Sequence, residues 1–209
     1  MNTLMLFTLL LSVALSEDLM LYDDGEFYEG FYVVNPDNLD ITCEYTKRSN
    51  WVAATMNTED MVVFTKNGTV STTVPDKDKD FKSIRFMVRY ENDDVKELPL
   101  NVKLFNENFD TLYNGNLLNS TAGYTVKIKK NNNQKMTIKL DNFNLDGKLS
   151  TIVFTRTGSN KTPVKFFFDQ VRLDTRDSQN ELYDQSTENA APSLMFGTLV
   201  LATFFFILV

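Results

Sequence analysis

Histidine is absent from all 209 residues. Ser-His-Asp and Cys-His catalysis therefore have no base here. Zinc and iron sites built on imidazole are excluded too. Cysteine occurs once, at Cys43. One cysteine closes no internal disulfide, so the fold must rest on its apolar core. Within Ile41-Thr42-Cys43-Glu44-Tyr45-Thr46 it reads as a small apolar residue buried in a strand. The alternative is an intermolecular disulfide. Tryptophan also occurs once, at Trp51. Cations are the minority charge, 21 Lys and Arg against 28 Asp and Glu, for a net charge of −7. An acidic surface argues against nucleic acid and against anionic lipid head groups. Neither a nucleic-acid nor a nucleotide partner is expected.

Charge is missing altogether from the two ends. Residues 1–16, MNTLMLFTLLLSVALS, hold an apolar run that closes on Ala14-Leu15-Ser16, before Glu17-Asp18. This is the pattern of a secretory signal peptide, although no Lys or Arg precedes the run. At the other end, Leu194 to Val209 reads LMFGTLVLATFFFILV. Sixteen helical residues reach roughly 24 Å, short of a hydrocarbon core about 30 Å thick. Small residues, Asn189-Ala190-Ala191, stand just upstream. Small residues, a spacer and a terminal apolar tail form a GPI-attachment signal. The expectation is lipid attachment at Asn189, with 190–209 removed; Ser186 is the other candidate. The alternative is an uncleaved single-pass span. Both routes place the protein on the outer face of the plasma membrane, held to the membrane by its anchor.

Between the ends lies one domain's length of chain, 17–174. It is a series of short runs rich in Val, Ile, Phe, Tyr and Thr, separated by Asn, Asp, Gly and Pro. Expected strands are Ile41–Lys47, Trp51–Met56, Met61–Thr65, Thr69–Val74, Lys82–Glu91, Leu100–Phe105, Tyr124–Lys130, Lys135–Leu140, Ser150–Arg156 and Val164–Leu173. Such spacing predicts an all-β, antiparallel sandwich or barrel in a single domain. The alternation is plainest at 83–90. There Ile84, Phe86, Val88 and Tyr90 share one face, and Ser83, Arg85, Met87 and Arg89 the other. Tyr124, Val126 and Ile128 repeat it. One short helical turn is expected near Asn106–Asp110. Pro75-Asp76-Lys77-Asp78-Lys79-Asp80 alternates acids as a calcium loop does, but lysines stand between them, and it reads as a solvated loop. Residues 175–189 are too polar to bury a core and read as a flexible stalk. Asn67, Asn119 and Asn160 head Asn-x-Ser/Thr sequons, and N-glycosylation is expected at each.

Two stretches carry a resemblance. The domain opens with Leu21-Tyr22-Asp23-Asp24-Gly25 and Gly30-Phe31, and closes with Phe166-Phe167-Phe168-Asp169-Gln170-Val171-Arg172-Leu173. This resembles the jelly-roll, galactose-binding-like sandwiches of carbohydrate-binding modules. That resemblance implies a jelly-roll sandwich. It also implies a structural calcium ion held by Asp24 (or Asp23) and Asp169, the alternative being that these aspartates form turn and cross-strand hydrogen bonds with no metal, and glycan binding through exposed aromatics. The family's Gly-Trp is Gly30-Phe31 here, so Trp51, Tyr45 and Tyr90 become the candidate stacking platforms; the alternative for Trp51 is that it begins an apolar strand and packs in the core. No cofactor is required.

The function expected is a non-catalytic cell-surface glycoprotein whose sandwich binds glycans or another surface protein. A structural coat or spacer protein is the alternative. A small glycoside hydrolase is the third reading, and it needs two facing carboxyls that no motif singles out. Phosphatidylinositol-specific phospholipase C should release the protein from intact cells. Its retention, with the enzyme active on a control, would exclude the lipid anchor.

Overall fold

A computed structural model describes residues 18–46, 49–73, 80–92, 94–118 and 123–176. The signal peptide, the stalk beyond Arg176, the attachment signal with Asn189, Asn119 and the loop at 74–79 lie outside the described residues. Among the described residues no helix is long and apolar enough to cross a membrane.

Among the described residues, alternating apolar and polar residues build twelve strands. They are β1 (Leu19–Asp23), β2 (Glu26–Phe27), β3 (Phe31–Val34), β4 (Ile41–Thr46), β5 (Ser49–Met56), β6 (Met61–Ser71), β7 (Ser83–Glu91), β8 (Glu97–Phe105), β9 (Tyr124–Lys129), β10 (Gln134–Lys139), β11 (Lys148–Arg156) and β12 (Val164–Asp174). A short α-helix, α1 (Phe109–Asn114), follows β8, and one turn of 3-10 helix (Leu140–Asn142) follows β10. The expected strands are present, with one merger: the two runs flanking Asn67 form one strand, β6. The helical turn lies a few residues later than its expected place.

All pairings are antiparallel, in two sheets. The larger runs β10-β7-β12-β1-β2; β5 also pairs with β12, and β4 pairs with β5. The smaller runs β3-β6-β11-β8-β9. Their facing sides enclose one core, so the chain is a jelly-roll β-sandwich. Ile84, Phe86, Val88 and Tyr90 point into it, as do Val126 and Ile128, with Tyr124 packed at its margin.

Phe154 on β11 is the hub of that core. Its ring stacks on Phe168 of the opposite sheet at 4.7 Å between centroids and meets Phe86 edge-on at 5.0 Å. Phe64 meets it at 87° and 5.7 Å. Such aromatic pairs contribute about 0.5–1.5 kcal/mol each beyond the area they bury.

A bulge divides β12. Asp169 lies opposite Met87, and the next paired residue is Arg172, opposite Arg85. Gln170 takes up the slack with φ of +50°, a left-handed conformation uncommon outside glycine. Before the bulge Phe166 and Phe168 face the core; after it Val171 and Leu173 do.

The outer faces of the two sheets differ. On the smaller one, α1 lays Phe109 and Leu112 over Val63, Phe105 and Val153. Asn108 caps the helix, its side chain accepting from the Thr111 N–H at 2.9 Å. The larger sheet has no such helix over it among the described residues.

Buried charge sits at the ends of the sandwich. Arg156, wholly buried, donates to the carbonyls of Met56, Thr162 and Asn160, which fixes the loop after β11. Asp174, also buried, takes an ion pair from Arg85 at 2.5 Å. Burial alone would push its carboxyl up. Hydrogen bonds from Arg176 and Arg85 outweigh that and hold it far below the usual carboxylate range. Phe154→Ala should cost about 3–5 kcal/mol in equilibrium urea unfolding. Tyr113→Ala, at a largely exposed ring, should cost far less. Equal losses would show that Phe154 is not the hub.

Candidate sugar-binding face

Outward-facing residues of the larger sheet form an apolar pad of their own. Trp51 and Ala53 come from β5, Phe167 from β12 and Met87 from β7. Register places them together. Phe167 lies opposite Ala53 on one side and Arg89 on the other, and Trp51 lies opposite Glu44. The small Ala53 leaves room for the two large rings beside it.

Cations roof this pad. The Arg89 guanidinium carbon stands 4.2 Å from the centre of the Phe167 ring and 5.8 Å from that of Trp51. Lys165 Nζ is 5.5 Å from the Phe167 ring. Each cation also has a carboxylate: Arg89 pairs with Glu91 at 3.1 Å, and Lys165 with Glu44 at 2.5 Å. The hydrogen bond from Lys165, then that from Thr42, holds the Glu44 carboxyl below its ordinary range. The Arg89 Nε is buried and makes no hydrogen bond to the described residues.

Beside the roof opens a cleft of about 400 Å³ lined by Arg89, Glu91, Asn92 and Asn131. Asn92 sits at the end of β7, where its side-chain oxygen accepts from the N–H groups of Asp94 and Val95. Asn131 holds the β9–β10 turn with φ of +57° and donates its N–H to the Tyr90 carbonyl at 3.1 Å. The lining therefore combines guanidinium donors, carboxylate acceptors and amides that do both.

The three candidate platforms separate. Trp51 lies on this face, yet it is only 3% exposed beneath its roof. It is a floor for the site rather than an open stacking surface. Tyr90 is no platform at all. It points into the core, fully buried, against Phe166, and its hydroxyl donates to the Val95 carbonyl at 2.8 Å. Tyr45 is 70% exposed. It is paired with Asn50 while its neighbour Glu44 is paired with Trp51, so strand alternation turns it to the other side of β4. Phe167 and Arg89 are the residues that the sequence reasoning did not place in a site. Their signal was the second face of β7, where Arg89 and Met87 alternate with core residues.

Cys43 is exposed, not buried, because β4 is an edge strand and its inward side overhangs the core. Its sulfur lies 3.9 Å from the Tyr22 hydroxyl. Asn67 is exposed, in a stretch of β6 where the pairing with β11 is interrupted. Asn160 is half-buried, and its side-chain oxygen accepts from the Thr162 N–H.

Asp24 and Asp169 do meet, across the β1–β2 turn. That turn needs Gly25 at φ +88°, where an added Cβ would stand 3.0 Å from that of Asn50. The Asp24 N–H donates to Asp169 Oδ1 at 3.1 Å, and the Ser49 hydroxyl donates to Oδ2 at 2.9 Å. Asp24 Oδ1 accepts from the backbone and side-chain N–H groups of Asn50. These residues do not fit calcium, which needs six to eight oxygens. Here the two carboxylates face N–H and O–H donors that would repel a cation. No cluster of three or more ligating side chains occurs among the described residues.

Desolvation pushes the Asp169 carboxyl above its ordinary range, and the charge of Asp23 adds to it, against hydrogen bonds from Ser49, Gln170 and Asp24.

No family model matches this chain, and no curated protein does. Solved structures of similar fold do exist. An exo-β-agarase matches with TM-score 0.52 and 14% identity over 78% of this chain and 26% of its own. A mutant family 29 carbohydrate-binding module matches with TM-score 0.47 and 10% identity, over 77% of this chain and 92% of its own. The family 11 module from Clostridium thermocellum, in complex with a mixed-linked tetrasaccharide, matches with TM-score 0.44 and 13% identity, over 75% and 94%. The chain spans about a quarter of the length of the agarase. At these identities the likeness is one of fold.

The raised Asp169 carboxyl predicts a signed pH effect. The folded state binds this proton more tightly than the unfolded chain does. Its contribution to stability therefore rises as pH falls from neutral through the raised value. Asp169→Asn, which removes the charge, should melt higher than the parent at pH 7, and the gap should close as pH approaches about 4. A gap that widens on acidification would overturn the assignment.

Proposed function

We propose that this is a non-catalytic carbohydrate-binding protein of the cell surface, and that the outer face of the larger sheet takes the glycan. One observation carries the reading. The polar cleft of Arg89, Glu91, Asn92 and Asn131 opens beside a guanidinium that stands over the Phe167 ring and near that of Trp51. A sugar ring offers hydroxyls that donate and accept, together with an apolar C–H face. The cleft's amides, carboxylate and guanidinium answer the hydroxyls. The Arg89 plane, backed by the two rings, answers the flat face, so the ring packs on a guanidinium and not on a bare indole. Convergent polar groups beside an apolar floor are the usual make-up of a small-ligand site.

Charge refines the ligand. Arg89 and Lys165 are each neutralised by a carboxylate on the same face. This balance suits a neutral saccharide. The lining has one carboxylate, Glu91, whereas glycoside hydrolysis ordinarily uses two. That supports binding without cleavage. The agarase that shares the fold acts, by its name, on a polysaccharide, and for this chain a ligand of that class is our proposal. A signal peptide at 1–16, a lipid at Asn189 and glycans at the sequons would put the site outside the cell.

Binding of the full chain to a glycan array tests this. Retention of neutral oligosaccharides is expected. Removing one hydrogen-bonding partner in the paired variants Glu91→Ala and Asn131→Ala should weaken it about tenfold or more. Tyr45→Ala should leave it unchanged. A folded protein that retains no glycan would exclude the proposal.

A further inference from the structure

Charge is divided along the chain more sharply than the total shows. Residues 1–46 contain nine acids and no Lys or Arg. Residues 111–140 contain five lysines and no Asp or Glu. The fold carries these two blocks to opposite flanks of the sandwich. The acidic block crosses between the sheet edges, from β2 on the larger sheet to β3 on the smaller and back to β4 on the larger. The lysine block does the same on the far side, from β9, the last strand of the smaller sheet, to β10, the last of the larger.

The acidic flank also carries most of the exposed aromatic surface. Phe27, Tyr28, Tyr32 and Tyr45 belong to it, all at least 38% exposed. Glu26 and Glu29 stand exposed among them. Opposite, Lys127 and Lys129 of β9 are exposed, with Lys130 and Lys135 half-buried beside them. Lysine suits such a partner in two ways: its ammonium attracts carboxylates and aromatic faces, and its aliphatic stem covers apolar surface.

From this we infer that copies of the chain associate side by side, the acidic, aromatic flank of one seating on the lysine flank of the next. A two-fold contact would set like charge against like. The contact is therefore heterologous, and because the flanks are opposite one another it extends into rows. The contact leaves the outer face of the larger sheet uncovered, so it stands independently of the glycan reading.

Sedimentation of the full chain in a mild detergent, over a range of concentrations and salt, tests the inference. Self-association at low ionic strength is expected, and it should fall away toward 1 M salt, where the screening length is about 3 Å. Glu26→Lys with Glu29→Lys places two lysines among the exposed aromatics of the acidic flank and lowers that block from nine negative charges to a net of −5, since seven acids and two lysines remain. Lys127→Glu with Lys129→Glu lowers the lysine block from +5 to +1, since three lysines and two glutamates remain. Each variant alone should sediment as a monomer, with an unchanged melting curve showing that it is folded. Mixed in equal amounts, the two should associate again. A wild type that stays monomeric up to about 1 mM overturns the inference. So does association that survives both charge reversals or resists salt, which would point to a different contact, and so does a mixture of folded variants that fails to associate. Should either double variant fail to fold, the salt series on the wild type decides alone.

Discussion

The bulge at Gln170 is the constraint on which the larger sheet depends. β12 is its central strand and pairs with β7, β5 and β1. A strand of eleven residues with strict alternation would keep one phase from end to end. The extra residue resets that phase midway. Phe168 stacks on the Phe154 hub, with Phe166 beside it, on one side of the bulge, and Val171 and Leu173 continue the core on the other. The same reset decides what faces outward. Phe167 and Asp169 fall on one half, Arg172 and Asp174 on the other. One half builds the pad under Arg89, and the other supplies the acid that Arg85 holds. An uncommon backbone conformation at a single non-glycine residue thus separates the apolar pad from an ionic clasp.

Much of the fold was legible because its strands are half-buried, and a half-buried strand writes its period in the sequence. Ser83–Tyr90 is the clearest case. β6 was read as two strands because Asn67-Gly68 looks like a turn; the chain instead interrupts its ladder there and continues. β2, two residues long, is too short to show a period. The jelly-roll expectation came from short end motifs, and those motifs are the turn and the strand that meet at Asp24 and Asp169. Their meeting is legible there, but a hydrogen-bonded corner and a calcium site are both compatible with the sequence, since only the donors around a carboxylate tell one from the other.

The site itself was less legible. Alternation says which residues share a face, not what lies over that face. Trp51 reads either as a platform or as a buried strand residue, and nothing in the strand pattern shows that Arg89 roofs it. Tyr90 was offered as a platform although its own alternation with Val88 and Phe86 put it in the core. Arg89 and Phe167 lie far apart in the chain, and only their register across β7 and β12 brings them together.

The two described ends of the domain leave from one place. β1 begins beside the end of β12, and Asp18 is held by Arg172 at 3.2 Å and by Arg176 at 3.8 Å. The cleft and its pad lie toward the other end of β12. A load applied between that pad and the carboxyl end of the domain therefore runs along the axis of β12. Ladder hydrogen bonds stand across that axis, so the load meets them in shear, all together, and not one after another as in unzipping. The central strand is thereby placed as the tensile member of the domain.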